Sequence, residues 1–314
     1  MSSTTTRPGT DASGRSATDR RGLWAVLRVH RSAMWIWIAF VVIGTVAMLW
    51  LRYGPYGTGA VEFQENCGTR GFRGCDELPL DGSEADPLFD FWFTFDYVAT
   101  ALRNLAPIVA GWAGGALIAR ELENGTAELA WTQAITPTRW LMEKLAVPTV
   151  FLTVGAGILI LHFRTLLHWA DAHDMLTAGY EIQDYYFTYG PSTVAYVLLG
   201  LAVGVLAGFL TRSMLPALAI AGLVTWTVSW ILNPWRTQIW PVVTRTHKGE
   251  GPFGFAALRC QWDQSDHKYS VDACLGAKPA SLYWPVQLVE TGFVLLLAAL
   301  AVAAAYWLLR RRTP

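Results

Sequence analysis

The stretch RELENGTAELAWTQAITPTRWLMEK, residues 120–144, decides the reading of this chain, because it is a polar segment held between two apolar runs that can each cross a bilayer. Ala127, Ala130, Trp131, Ala134 and Ile135 recur at i, i+3, i+4, i+7 and i+8. That period puts an apolar stripe on one helix face, with Glu128, Thr132 and Gln133 on the other. The Asn124-Gly125 pair predicts a break before this helix, and Thr136-Pro137 predicts a restart, with Thr as N-cap and Pro at the first helical position. On residues alone the segment is either an interfacial connector between two spans or a docking helix outside the membrane.

Working outward, the composition places the chain in a membrane. Hydrophobic residues make up 53% and charged residues only 15%, where a soluble domain is about one quarter charged. The 16 Trp and 11 Tyr suit a protein with two lipid–water interfaces, where amphipathic rings collect. A formal net charge of zero gives no basic field for nucleic acid.

Residues 1–21 read as a disordered cytoplasmic tail and 22–32 as a basic interfacial helix, followed by a single six-span domain over 33–314. The spans are expected near 33–51, 97–119, 145–163, 192–210, 214–232 and 285–309. The second must include Arg103 and Asn104, and the sixth contains Glu290. Charges inside spans face a cavity, a partner or the headgroups. An Arg103–Glu290 pair fixing two helices, or two snorkelling side chains, are the alternatives. Gly111 with Gly115, and Gly200, Gly204 and Gly208 at four-residue intervals, mark faces for close helix packing. Only three residues separate spans four and five, so those two form a tight hairpin.

Six spans put both termini on one side. With that side cytoplasmic, Lys and Arg exceed Asp and Glu in the inner segments and acids predominate in the outer loops, 52–96, 164–191 and 233–284. Both cysteine pairs, Cys67 with Cys75 and Cys260 with Cys274, then lie outside, where disulfides persist. The HWADAHD run, residues 168–174, lacks the i, i+4 histidine pair of a helical zinc site, so its His and Asp read as solvated loop residues and no metal site is assigned.

The chain contains no G-x-x-x-x-G-K-[ST] phosphate loop, no G-x-S-x-G elbow and no H-E-x-x-H pair. No catalytic residue is assigned. If the chain moves a solute with ATP, the energy enters through another polypeptide.

Three stretches carry a family resemblance. The Glu-rich start of residues 120–144, Gly125-Thr126, the Trp-bearing turn, Arg139 and Lys144 resemble the first cytoplasmic loop of ABC-2 type permeases. GVLAGFLTRSMLPALA, residues 204–219, resembles the inner hairpin of the actinobacterial branch, and WPVQLVETG, residues 284–292, the start of its last span. The resemblance implies an all-α polytopic fold of six helices with both termini inside and long extracytoplasmic loops. It implies a plasma-membrane export subunit that works as a dimer, homomeric or with a related permease, and effluxes drugs, antibiotics or other small amphipathic compounds. ATP and Mg would bind a separate ABC ATPase subunit, with no cofactor on this chain. In that family the first cytoplasmic loop couples to the ATPase, which here implies Glu121, Glu123, Gly125, Thr126, Glu128, Leu129, Trp131, Ile135, Arg139 and Lys144. Ala127 and Ala130 depart from the bulkier residues common there. The classes that compete are a polytopic membrane enzyme using outer His and Asp residues, and a membrane sensor with a disulfide-tied outer surface.

Overall fold

A computed structural model describes residues 31–67, 87–125, 136–173, 175, 188, 190–238, 259–263, 268–275 and 283–312. In chain order the elements are α1 (Arg31–Tyr53), α2 (Pro55–Cys67), α3 (Pro87–Glu123), α4 (Pro137–Ala172), α5 (Pro191–Thr211), α6 (Met214–Gln238), β1 (Arg259–Asp263), β2 (Lys268–Leu275) and α7 (Tyr283–Arg312). Six stretches of these helices are long and apolar enough to cross a membrane, and each coincides with one of the six expected spans.

Proline sets four of the helix starts. Pro55, Pro87, Pro137 and Pro191 each open a helix, where a missing N–H costs nothing because the first turn has no intrahelical acceptor for it. Gly54 and Pro55 separate α1 from α2, yet the Gly54 N–H still donates to the Trp50 carbonyl at 2.7 Å. The two helices are therefore one apolar stretch with a joint, Met34–Phe63.

The helices run past the apolar runs that locate the spans. Residues 52–96, expected as an outer loop, instead carry all of α2 and the first turns of α3. There Phe91, Trp92 and Phe95 are fully buried between Asp90 and Asp96. Their packing against Leu51, Phe163 and Leu166 holds the helix together ahead of the apolar run expected from residue 97. Trp92 adds a buried hydrogen bond from its indole N–H to the Met175 carbonyl at 3.0 Å. In the same way α4 extends to Ala172, so most of the HWADAHD run is helical, and His173 Nδ1 lies 2.8 Å from the Trp169 carbonyl one turn back.

A second departure from expectation is the antiparallel ribbon of β1 and β2 between α6 and α7, which makes the fold nearly, not wholly, helical. Its register sets Cys260 opposite Cys274. A disulfide joining them therefore remains a proposal, as does one joining Cys67 and Cys75; Cys75 lies outside the described residues.

At the hub stands α5, with 78% of its span buried against 17% for α1 and for α6. The helix packs on α3, α4, α6 and α7. Outward faces of the others are apolar, with Ile43, Val46 and Trp50 on α1 and Leu223, Trp226 and Trp230 on α6 exposed. In water such faces would drive aggregation; against lipid tails they are solvated.

Glycine lets α5 reach α3. A Cβ on Gly200 would overlap the Pro107 carbonyl oxygen, and one on Gly204 the Gly111 carbonyl oxygen, so backbone lies on backbone. The expected Gly111 and Gly115 pair turns largely toward α6: added Cβ atoms would meet Ala221 at 2.7 Å and Ala217 at 3.0 Å. Gly114, which the four-residue spacing does not pick out, is the glycine of α3 that sits under the Leu201 carbonyl.

A further glycine, Gly155 of α4, lies against the Trp37 indole nitrogen, whereas Gly157 has open space around it. Gly155→Ala should thus destabilise the protein by about 1–3 kcal/mol through overpacking. Gly157→Ala should be neutral or gain up to about 1 kcal/mol from helix propensity. Thermal unfolding of the two purified variants in detergent tests the contrast.

Candidate coupling site and intramembrane polar seam

The polar segment 120–144 begins on α3 and ends on α4. Asn124 donates its N–H to the Arg120 carbonyl at 3.1 Å, and Gly125 follows at φ +67°, a left-handed value that favours glycine and closes the helix. The expected break is thus built by Gly125 itself. Helix resumes at Pro137, with the Trp140 N–H donating to the Thr136 carbonyl at 3.0 Å. Thr126, Glu128, Leu129, Trp131 and Ile135, and with them the expected amphipathic helix, lie outside the described residues.

The structure brings the two ends of the segment together. Lys144 Nζ donates to Glu121 Oε1, and the side chains are only 12% and 13% exposed. Two residues expected to face an ATPase therefore also face each other, pinning α3 to α4. Beneath them Leu117, Ile118, Trp140 and Leu141 are buried in one cluster with Phe209 of α5 and Leu309 of α7. Arg139 is different: its partner is Glu143 on the same helix, at 2.7 Å and with both side chains more than half exposed. Such an i, i+4 pair contributes about 0.3–0.5 kcal/mol. Glu123 is exposed at the rim.

Near the opposite ends of α5 and α7, a polar seam interrupts the apolar packing. Gln287 of α7 is fully buried and its Oε1 accepts from the Ser192 N–H in the first turn of α5 at 3.3 Å. One turn deeper, the Tyr196 hydroxyl donates to Glu290 Oε1 at 3.0 Å, with Glu290 6% exposed. Ser192 and Tyr196 are i, i+4 on α5, and Gln287 and Glu290 are i, i+3 on α7, so the two contacts are successive rungs between facing stripes. Gly190 admits the Gln287 amide, which any Cβ there would overlap. Beyond Glu290 the seam turns apolar, with Leu199 and Val203 clustered with Val294 and Ala298.

Sequence reading finds Glu290 because a carboxylate inside a span stands out. It passes over Tyr196 and Gln287, which are single polar groups in apolar runs; the i, i+3 spacing of Gln287 and Glu290 is the signal that marks them. The expected partner of Glu290, Arg103, is half-buried with Asn104 on α3. Both α3 and α7 pack on α5, and one hydrogen bond to Glu290 comes from Tyr196 of that hub; an Arg103–Glu290 pair stays a proposal.

Between α5 and α6 the expected hairpin is closed by Arg212 in the left-handed region, φ 52°, its N–H donating to the Gly208 carbonyl at 3.0 Å. The Thr211 hydroxyl lies 2.9 Å from the Ala207 carbonyl and 3.0 Å from the Ser213 carbonyl, within donating reach of either, and so ties the turn to the helix end. At the end of α7 the arginines lie over aromatic rings, Arg311 at 3.7 Å from the Trp307 centroid.

Six helices long and apolar enough to cross a membrane, one of them a buried hub, define a multi-pass membrane protein of the plasma membrane. The family model described as ABC-2 membrane transporter related matches residues 38–236, and the chain belongs to that family of membrane transporter components. The match covers the polar segment, the hub and the hairpin, and stops before the ribbon and α7. No curated protein and no solved structure matches the chain.

Proposed function

We propose that the chain is the membrane-spanning subunit of an ATP-driven exporter, working as a dimer and coupled through residues 120–144 to a separate ABC ATPase. ATP and Mg bind on that partner, and this chain carries the route for small amphipathic compounds such as drugs or antibiotics. The observation that carries the reading is the Glu121–Lys144 pair, which ties α3 to α4 where the polar segment leaves and rejoins the membrane domain. A push on the segment from an ATPase then acts on both helices at once, and through their cluster on α5 and α7, so that the bundle moves between two packed arrangements. The apolar stripe on Trp131 and Ile135 anchors the partner, with Glu123 and Glu128 setting register at the rim. Export as the direction of transport follows the family resemblance.

Trp131→Glu should abolish recovery of an ATP-binding chain when the tagged protein is purified in detergent and its companions are identified by mass spectrometry. Wild type should recover that chain at equal expression. If wild type recovers none, the exporter reading is wrong; if Trp131→Glu recovers as much, the docking face is wrong.

A further inference from the structure

We infer that the exposed arginines at one end of the bundle, Arg310 and Arg311 foremost, form a binding site for the headgroup of an anionic phospholipid. The site lies at the end that carries the Glu121–Lys144 pair, and it rests on no part of the exporter reading. Along α7, Phe293, Leu296, Leu300 and Trp307 are exposed at helical spacing, an apolar stripe that faces lipid tails. Arg310 and Arg311 stand three and four residues beyond Trp307, so they end that same stripe, at the level where aromatic and basic side chains meet headgroups. Both guanidinium groups lie over rings, Arg310 at 5.4 Å from the Tyr306 centroid and Arg311 at 3.7 Å from that of Trp307. Stacking occupies one face of the planar group and leaves its N–H edge to meet a phosphate through two parallel hydrogen bonds.

The charge at this end selects an anion. Arg120 near the end of α3 and Arg212 in the turn after α5 are exposed as well, and the contact of Gly208 with Ile118 and Ala119 sets those two helix ends side by side. The end of α7 joins them through Leu309, buried with Ile118 and Phe209. None of these four arginines pairs with a carboxylate among the described residues, whereas Glu121 and Glu143 are taken up by Lys144 and Arg139, which leaves Glu123. The occupant follows from where the two stacked arginines stand. At the end of a lipid-facing stripe the nearest anions are the phosphodiesters of the leaflet, and a lipid of net negative charge gains from the uncompensated arginines where a zwitterionic one does not. A headgroup held there fixes the end of α7, whose Leu309 is buried with Ile118 of α3 and Leu141 of α4, the two helices that carry Glu121 and Lys144.

The test is thermal unfolding of the full-length protein in nanodiscs of phosphatidylcholine alone and in nanodiscs where phosphatidylglycerol replaces graded fractions of it. The anionic lipid should raise the wild-type midpoint saturably, as binding to the folded state requires. The double variant Arg310→Gln with Arg311→Gln should lose most of that rise. Arg139→Gln, which removes an exposed cation that Glu143 already neutralises, should keep it. Each variant is read as the rise over its own midpoint in phosphatidylcholine, so a change in basal stability cancels. No saturable rise in wild type, an undiminished rise in the double variant, or an equal loss in Arg139→Gln would overturn the inference. A double variant that keeps the lipid response but no longer recovers an ATP-binding chain would overturn it too, by assigning the arginines to an acidic protein surface.

Discussion

Gly204→Leu is expected to prevent the protein from accumulating as a folded, monodisperse species. The added side chain would start inside the Gly111 carbonyl oxygen and meet the Gly111 and Gly115 backbone. Neither helix can yield by rotating a side chain, because what is struck is main chain. Overpacking a well-packed interface costs about 1–3 kcal/mol and more where backbone must move; here α5 would have to leave α3 along several turns. Since Gly200 and Gly208 continue the same face, the loss should exceed the lower figure and reach total stability for a marginal fold. Size-exclusion profiles of tagged variants in detergent measure it. The control is Gly157→Leu, which adds the same side chain at an exposed position with open space and should elute as wild type does.

The second large effect concerns the ion pair. Glu121→Lys sets two cations together where Lys144 is 12% exposed, and removing one partner of a buried pair costs about 3–5 kcal/mol. Partial exposure brings the expected loss to the lower end of that range. Reversing both charges, Glu121→Lys with Lys144→Glu, should recover most of it, because the pair is restored with its sign inverted. Thermal unfolding of the two singles and the double closes a mutant cycle whose coupling energy reads the pair directly. A double no more stable than the worse single would mean that each residue acts through something other than its partner.

The fold was legible where single physical rules dominate. Apolar length located the six membrane-crossing segments, and the chemistry of Asn124-Gly125 and Thr136-Pro137 located a helix end and a helix start. The apolar-run criterion failed at helix ends, because it stops at the first charges, whereas α3 keeps its aromatic face through Asp90 and Asp96. Glycine spacing marked faces for close packing without naming what packs there: a single helix cannot say that Gly114, one position from Gly115, turns to a different neighbour. The seam was half legible for the same reason. Glu290 is conspicuous alone, but Tyr196 and Gln287 acquire meaning only when α5 and α7 are set side by side. The stripe through Trp131 is legible in the sequence and lies outside the described residues.

The central place of α5 has a consequence for how the molecule is made. Three membrane segments, those of α1, α3 and α4, come before it in the sequence, and two of them, α3 and α4, pack on it. Until α5 enters, the glycine groove of α3 has only lipid to fill it, and a nascent chain halted after α4 lacks the helix on which α3 and α4 both pack. Assembly is therefore completed late: α1, α3 and α4 share a buried aromatic cluster without α5, but the glycine groove of α3 is filled only once α5 has entered, and α6 and α7 close over a hub already in place.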